Sequence, residues 1–347
     1  MTTTTPRYRT RLAARRDQQA AAAAAAVAHV PSDRRQSLGT VPADSPSLKE
    51  LTIRRFDEEF HQESLLGHGE FSHVYLCKNR LDGITYAVKA SKLPVLGTSY
   101  ERMAWRETCA HAVLISHENL VRYHSAWIEP DGRFFVQLEY CNGGSLEDVL
   151  EKNRRQRLFT GEEQLKQILH QISDALAYMH AQDLAHLDIK PANIMLCHRS
   201  NDILLNKNDD DDNDDGEDEH NQILYKLTDL GHVSQISMAS IDEDGDSRYL
   251  ALEALQPSRT KTLNLAKCDI FSLGLTLYVC GSNREMPKQG NEWQQLRLNI
   301  MDYLHSMVHC SDQFNDLLLR QMCHVDPHYR PSAYEVSLKR MTRNQLN

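Results

Sequence analysis

The spacing of hydrophobic and polar residues divides the chain into a β-rich part and a helical part. Short alternating runs predict the strands of an antiparallel sheet over residues 60–69, 71–79, 84–91 and 134–140. Helical spacing over residues 99–115 predicts one helix among them. Beyond Gly143 and Gly144 the spacing is helical, in runs at residues 145–153, 162–182, 267–281 and 313–340. The pattern predicts an α+β fold with two lobes, residues 60–140 and residues 143–342.

Two segments of biased composition fall outside this pattern. Residues 1–55 are basic and rich in Ala, Thr and Ser, which predicts a disordered tail, with a transit peptide as the alternative. Between Asp209 and Glu219, nine of eleven residues are acidic, and such a run repels itself and buries no apolar area. We therefore predict a disordered loop over residues 200–222, because the run lacks the ligand spacing of a calcium loop.

Composition narrows the class of protein. A share of 41% hydrophobic residues in 347 is ordinary for a chain with a packed core. The eight cysteines contain no CxxC pair and follow no secretory signal, so we expect a reducing intracellular compartment. No uniform apolar run approaches the roughly 20 residues that span a bilayer, so we predict no membrane span. The net charge of −9 argues against nucleic acid as the main partner.

A glycine-rich turn and a lysine form the first candidate for chemistry. Gly67 and Gly69 lie between two predicted strands, where the absence of Cβ lets the backbone approach phosphate oxygens. A plain hairpin turn is the alternative, since Ser72 occupies the third position of the glycine pattern. About twenty residues on, Lys89 ends a strand from which it can reach phosphates, although a surface cation would look the same.

The inserted helix carries a partner for this lysine. Glu107 lies among the apolar residues Trp105 and Ala110, which favours an inward side chain over a solvated one. A carboxylate at this place would hold the Lys89 ammonium in position. The sequence therefore predicts an ion pair between Lys89 and Glu107.

The stretch HLDIKPAN, residues 186–193, carries the catalytic candidates. Asp188 would orient a hydroxyl and accept its proton, Lys190 would neutralise a transferring phosphoryl group, and Asn193 would bind a metal ion. Asp229 follows a further predicted strand and would bind magnesium beside the phosphates. A carboxylate, an ammonium group, an amide and a second carboxylate in this order are the side chains that phosphoryl transfer requires. Positioning and charge neutralisation supply most of the catalysis of this reaction.

Taken together, these motifs resemble the signature of the protein kinases, over about residues 60–341. The resemblance implies a bilobal kinase fold and ATP with Mg²⁺ as cofactors. It assigns ATP binding to Leu66, Gly67, Gly69, Val74, Ala87, Lys89, Glu107, Leu138, Glu139 and Cys141. It makes Asp188 and Lys190 catalytic, and Asn193 and Asp229 metal ligands.

Three further residues match the internal ion pairs of that fold. Glu253 in ALE stands where kinases have Ala-Pro-Glu, and Arg330 stands where its buried partner is expected. Asp269 resembles the aspartate that anchors the catalytic loop from a central helix. A routine surface charge is the alternative for each.

Other strings narrow the resemblance to the Wee-type kinases. These are HLDIKPANI, DLGH in place of DFG, GDSRYLALEALQ, EYCNGGSL and HAVLISHENLVRYHSAW. The resemblance implies a nuclear enzyme, with the cytoplasm as a second location, that phosphorylates a tyrosine of a cyclin-bound cyclin-dependent kinase and restrains mitosis. Leu187 replaces the arginine that many kinases carry, and we expect no need for an activation-loop phosphate.

Three alternatives remain open. Lys190 is typical of serine/threonine kinases, so an ordinary serine/threonine kinase fits the catalytic loop. The membrane-associated relatives of the Wee-type kinases, which also modify threonine, are the second alternative. A pseudokinase that binds a cell-cycle kinase without modifying it is the third, although Lys89, Asp188, Asn193 and Asp229 are all present.

Overall fold

The structure is a computed structural model that describes residues 54–98, 100–198, 223–238, 245–255, 263–288, 290–298 and 300–339. The predicted tail, except for its last two residues, and the whole of the predicted acidic loop lie outside the described residues. The described chain divides into two compact units. Unit 1 contains the described residues up to Ile115 together with Ser125–Gln137, and unit 2 contains Ser116–His124 and the residues from Leu138 onward.

A five-stranded sheet forms most of unit 1. Its strands are β1 (Phe60–His68), β2 (Ser72–Asn79), β3 (Thr85–Ser91), β4 (Tyr123–Ile128) and β5 (Phe134–Glu139), in the spatial order β1-β2-β3-β5-β4. Two helices accompany it, α1 (Arg55–Glu59) and α2 (Tyr100–Val113). The first two strand pairs are antiparallel, as predicted. Helix α2 confirms the helix expected over residues 99–115.

The core of unit 1 lies on one face of this sheet. Tyr86, Val88 and Ala90 are buried on β3, because alternate residues of a strand point to opposite faces. Trp127 covers them from β4 and stacks on Phe60, with ring centroids 5.9 Å apart. The opposite face of β3 is left for functional side chains.

Unit 2 is built mainly from helices, with two short strand pairings among its described residues. The longer helices are α3 (Leu146–Gln156), α4 (Glu162–Ala181), α6 (Leu265–Ser282) and α7 (Asn291–Leu298). The shorter ones are α5 (Leu252–Leu255), α8 (Ile300–Tyr303), α9 (Asp312–Asn315) and α10 (Ala333–Leu338). Strands β6 (Leu184–Ala185) and β9 (Ser234–Gln235) pair with each other, as do β7 (Ile194–His198) and β8 (Ile223–Leu227). The sheet of unit 1 and the helices of unit 2 confirm the predicted α+β class.

Helix α6 is the centre of unit 2 and is buried on every side. Every residue from Cys268 to Gly281 is buried, and α6 packs against α4 and the π-helix Asp316–Met322. Gly274 permits this contact, since a Cβ there would lie 2.6 Å from the Cys323 sulfur. Among the described residues, α6 is the one helix long and apolar enough to cross a membrane, with mean hydropathy 1.2 over 18 residues. With 83% of that window buried, α6 is accounted for as a core helix.

The hydrophobic pattern does not predict every element. It gives no sign of α1, β4 or β7, and it predicts continuous helix over residues 313–340 where the structure has several short elements. That region breaks at Cys323 because the segment Pro327–Tyr329 is a short 3-10 helix opened by proline. Two capping boxes, Ser145 with Asp148 and Ser332 with Glu335, define where α3 and α10 begin.

Candidate active site

The candidate residues of unit 1 share the open face of its sheet. On β3, Ala87 and Lys89 point away from the core, and the strand register sets Val74 opposite Lys89. Gly67 lies at a bulge in β1, and Leu66 beside it is exposed. Five of the residues assigned to ATP binding thus lie on neighbouring parts of three strands.

The predicted ion pair of Lys89 is present. Its ammonium lies 3.0 and 3.1 Å from the two carboxylate oxygens of Glu107. Glu107 is only 5% exposed, so its charge is held in a place of low polarity and would be costly without the lysine. The structure therefore confirms the inward orientation of Glu107 that the sequence predicts.

The glycines of the turn have room for a side chain in this structure. A Cβ on Gly67 would lie 3.8 Å from its nearest neighbour, the Cβ of Val74, and one on Gly69 would lie 3.4 Å from the Ser72 backbone oxygen. Neither glycine has a positive φ. A requirement for glycine here would come from a ligand that approaches the backbone closely, not from the fold.

The catalytic candidates of unit 2 converge on the carboxylate of Asp188. Its Oδ2 lies 2.8 Å from the Lys190 ammonium and accepts a hydrogen bond of 2.8 Å from the Asn193 amide. The same amide donates to the Asp188 backbone oxygen at 2.8 Å. Asp188 is buried, so its orientation is fixed by these partners instead of by solvent.

A segment that the sequence motifs did not assign to the site completes the environment of Asp188. The backbone N–H of Asp246 donates to Asp188 Oδ1 at 2.8 Å. Gly245 makes the approach possible, because a Cβ there would lie 2.2 Å from the Leu187 carbonyl oxygen and 3.0 Å from Asp188 Oδ1. The string GDSRYLALEALQ, which begins at Gly245, contributes to the family resemblance, but the sequence does not show that this segment contacts Asp188.

Arg248 fixes the conformation of Asp246. Its guanidinium donates to both Asp246 oxygens, at 2.9 Å from Nε and 2.5 Å from Nη2. Burial would raise the pKa of Asp246, but the hydrogen bonds from Arg248 outweigh it and hold that pKa below its usual range. Asp246 therefore stays ionised and keeps its backbone in place beside Asp188.

His186 supports the loop as a neutral side chain. It is completely buried, and burial lowers its pKa. Its Nε2 donates to the Thr228 carbonyl at 3.0 Å, while its Nδ1 accepts the Asp188 N–H at 3.2 Å. One nitrogen donates and the other accepts, which is the hydrogen-bonding capacity of a neutral imidazole.

Asp269 anchors this loop from α6, as expected. Its two oxygens accept the N–H groups of His186 and Leu187, each at 2.8 Å, and His180 Nε2 lies 2.9 Å away. The loop needs such an anchor because Leu187 has a φ of +64°, which is unfavourable for a residue with a Cβ. Leu187 itself is buried, in the position where an arginine is common.

The second expected ion pair is also present. Arg330 is buried and forms two hydrogen bonds with the Glu253 carboxylate, one from Nη1 to Oε1 and one of 3.2 Å from Nη2 to Oε2. Its remaining donors bind the backbone oxygens of His324, Val325 and Lys267. This guanidinium therefore ties three segments of unit 2 together.

The remaining candidates are the metal ligand Asp229 and three residues of unit 2 assigned to ATP binding, Leu138, Glu139 and Cys141. Asp229 has a φ of +65° and precedes the 3-10 helix Leu230–His232. Leu138 and Cys141 are buried, and Glu139 accepts a 2.8 Å hydrogen bond from Lys226 that the sequence does not suggest. Asn193 and Asp229 both supply oxygen, the ligand type that Mg²⁺ prefers, so the donor set fits that ion.

Comparison with known proteins gives the class of this chain. The protein kinase domain family matches residues 60–340. The chain belongs to the protein kinase family, as the motifs and both ion pairs indicate.

The relatives give the branch of the family. A Wee1-like protein kinase 2 from Danio rerio is 40% identical over 293 residues, which cover 84% of this chain and 53% of the relative. Wee1-like protein kinase 1-B from Xenopus laevis is 41% identical over 294 residues, 84% of this chain and 47% of the relative. The Wee-type resemblance is thereby confirmed. The chain spans about half the length of the curated relatives it matches.

Proposed function

We propose that this protein transfers the γ-phosphoryl group of ATP to a tyrosine in the glycine-rich loop of a cyclin-bound cyclin-dependent kinase and thereby restrains entry into mitosis. The proposed transfer activity rests on one observation. Lys190 and Asn193 hold the carboxylate of Asp188, each at 2.8 Å. A protein that only binds its partner has no need for this arrangement. The intact pair of Lys89 and Glu107 supports the same conclusion.

In this mechanism Asp188 orients the acceptor hydroxyl and receives its proton. Lys190, already beside Asp188, neutralises charge on the phosphoryl group as it moves. Lys89 binds phosphate oxygens of ATP, and Glu107 holds the Lys89 ammonium in place. Asn193 and Asp229 would hold Mg²⁺, which supplies positive charge to the phosphates when bound.

Tyrosine is proposed as the acceptor because the resemblance to the Wee-type kinases implies it. The local chemistry alone favours serine or threonine, because Lys190 follows Asp188 by two residues. A dual-specificity enzyme like the membrane-associated relatives is therefore the second candidate. We propose a nuclear location on the same family resemblance. We also propose that the protein has neither a membrane nor a nucleic acid as a partner, and its net charge of −9 supports the absence of nucleic acid.

The test is transfer of labelled phosphate from magnesium ATP to a cyclin-bound cyclin-dependent kinase, followed by identification of the labelled amino acid. We expect phosphotyrosine with the wild-type protein and none with Asp188→Asn. Asp316→Asn is the matched control, since that carboxylate lies at the surface in an ion pair with Arg320.

Each other outcome points to an alternative. Phosphothreonine or phosphoserine as the sole product would contradict the proposed acceptor and favour the dual-specificity or serine/threonine enzyme. Binding of ATP without any transfer would contradict the proposed activity and favour the pseudokinase.

A further inference from the structure

The histidine that ends the string DLGH has a buried ring nitrogen without a hydrogen bond. His232 is the last residue of the 3-10 helix Leu230–His232, and its Nδ1 is buried and has no hydrogen-bond partner among the described residues. Asp188 Oδ2 lies 3.8 Å from this nitrogen, too far for a hydrogen bond. Burial of a polar atom without a partner is unfavourable, so its position beside the catalytic carboxylate needs an explanation.

The backbone on both sides of His232 is joined to the catalytic loop and its entry. On one side, the Thr228 N–H donates to the Asn193 backbone oxygen at 3.0 Å. On the other side, Ser234 of β9 pairs with Ala185 of β6, the strand that leads into the catalytic loop. The fold therefore holds the His232 ring beside this loop, and only a rotation of the side chain is needed to change its distance from the carboxylate.

The partners of Asp188 explain why the His232 nitrogen makes no hydrogen bond with it. Each oxygen of a carboxylate has two lone pairs. Those of Asp188 Oδ2 are taken by the Lys190 ammonium and the Asn193 amide, each 2.8 Å away. The other oxygen, Oδ1, accepts the N–H of Asp246. His232 therefore gains a place on Oδ2 when one of its two donors moves away.

Lys190 is the donor that moves in the proposed reaction, because its ammonium neutralises charge on the phosphoryl group. We propose that His232 is a positioning residue whose Nδ1–H replaces the Lys190 ammonium on Asp188 Oδ2 during phosphoryl transfer. An approach of about 1 Å turns the separation of 3.8 Å into a hydrogen bond. Oδ2 then keeps two donors, and the carboxylate stays directed at the acceptor hydroxyl. This inference deepens the proposed function and rests on it.

The role depends on the nitrogen atom and not on the size of the ring. An ionised carboxylate accepts hydrogen bonds and donates none, so its proximity favours the imidazole form that carries a hydrogen on Nδ1. His232 acts on the Asp188 carboxylate and not on ATP. Removal of the Nδ1 donor should therefore slow phosphoryl transfer and leave the affinity for ATP unchanged.

The experiment uses the whole protein and measures transfer of labelled phosphate to a cyclin-bound cyclin-dependent kinase in a single turnover at saturating magnesium ATP. The dissociation constant of ATP is measured in parallel by calorimetry. His232→Leu, which removes the donor, should slow the transfer about tenfold, because the carboxylate is less well positioned. His232→Asn should restore most of the lost rate, since the side-chain nitrogen of asparagine is as many bonds from Cα as Nδ1 of histidine.

His305→Leu, the same substitution at an exposed site, is the control and should transfer phosphate at the wild-type rate. Three results would overturn the inference. A wild-type rate in His232→Leu would show that Asp188 does not need this donor. An equal loss in His232→Leu and His232→Asn would show that the ring acts through its packing. Weaker ATP binding in both variants would show a role in the fold of the site.

Failure of the proposed function has a different signature. A wild-type protein that binds ATP and transfers no phosphate would overturn the proposed function together with this inference. Transfer by the wild-type protein with any of the three results above would overturn the role of His232 alone.

Discussion

The carboxylate of Asp269 accepts the backbone N–H of Leu187 at 2.8 Å and, through its other oxygen, that of His186. A residue of α6 thus holds the backbone directly before Asp188, although no side chain of the catalytic loop is involved. The orientation of the catalytic carboxylate depends on a buried acceptor more than eighty residues away in the sequence.

Asp269→Asn should therefore impair both folding stability and activity. One oxygen becomes an NH₂ group that cannot accept a backbone N–H, so a buried donor is left unsatisfied. We expect a loss of about 3 kcal/mol in the free energy of unfolding, measured in urea. Glu151→Gln, which changes an exposed pair with Arg155, is the control and should be within about 0.5 kcal/mol of wild type.

Gly245→Ala should reduce phosphoryl transfer about a hundredfold. The added Cβ would overlap the Leu187 oxygen and displace the Asp246 N–H from Asp188. ATP affinity should change little in a direct binding measurement. At Gly161 a Cβ meets nothing within 4 Å, so Gly161→Ala should retain activity. Wild-type transfer by Gly245→Ala would contradict the assigned role of this segment.

Arg330→Lys should destabilise the protein by about 3 kcal/mol, because lysine cannot reproduce the planar set of donors. Arg330 binds Glu253 and three backbone oxygens while almost completely buried. Thermal unfolding measures the effect. The same substitution at Arg320, which is exposed and pairs with Asp316 at the surface, should leave the melting temperature nearly unchanged.

Stability should fall between about pH 7 and pH 5 in a way that depends on His186. Burial lowers its pKa in the folded protein below the ordinary value of about 6.5. Below that value the unfolded chain binds a proton that the folded chain does not, so acidification favours unfolding. Urea unfolding across this range should show a shallower pH dependence for His186→Asn than for wild type. The control His305→Asn, at an exposed site, should keep the wild-type slope.

Replacement of Ser237, Ser240 and Ser247 by alanine should leave ATP binding intact. Leu187 places no charge beside Asp188, so no phosphate is needed there to neutralise one. Ser240 lies outside the described residues, and the loss of the hydrogen bond from Ser237 to Asp183 should cost about 1 kcal/mol. A calorimetric titration with ATP measures the result, with Lys89→Met as the variant expected to lose binding. Loss of binding in the triple variant would contradict this interpretation of Leu187.

The sequence predicts the chemistry of the site better than its geometry. Lys89, Glu107, Asp188 and Asn193 are recognisable because each is a reactive type at a fixed spacing. The roles of Gly245 and Asp246 are not recognisable, since Asp246 acts through a backbone N–H that every residue except proline has, and Gly245 acts through the absence of a Cβ. The sequence does not predict strand β7, because its pairing with β8, and not an alternation of hydrophobic and polar residues, makes it a strand.

Helix α6 also has a consequence for how the protein is made. Its apolar surface is complete once Ser282 has been synthesised, but the π-helix Asp316–Met322 that covers part of it comes later in the chain. A ribosome-bound intermediate therefore presents to chaperones an apolar segment as long as a membrane helix. Variants that delay the docking of residues 316–322 should be lost to aggregation or degradation during synthesis, so their low abundance would say nothing about their catalytic competence.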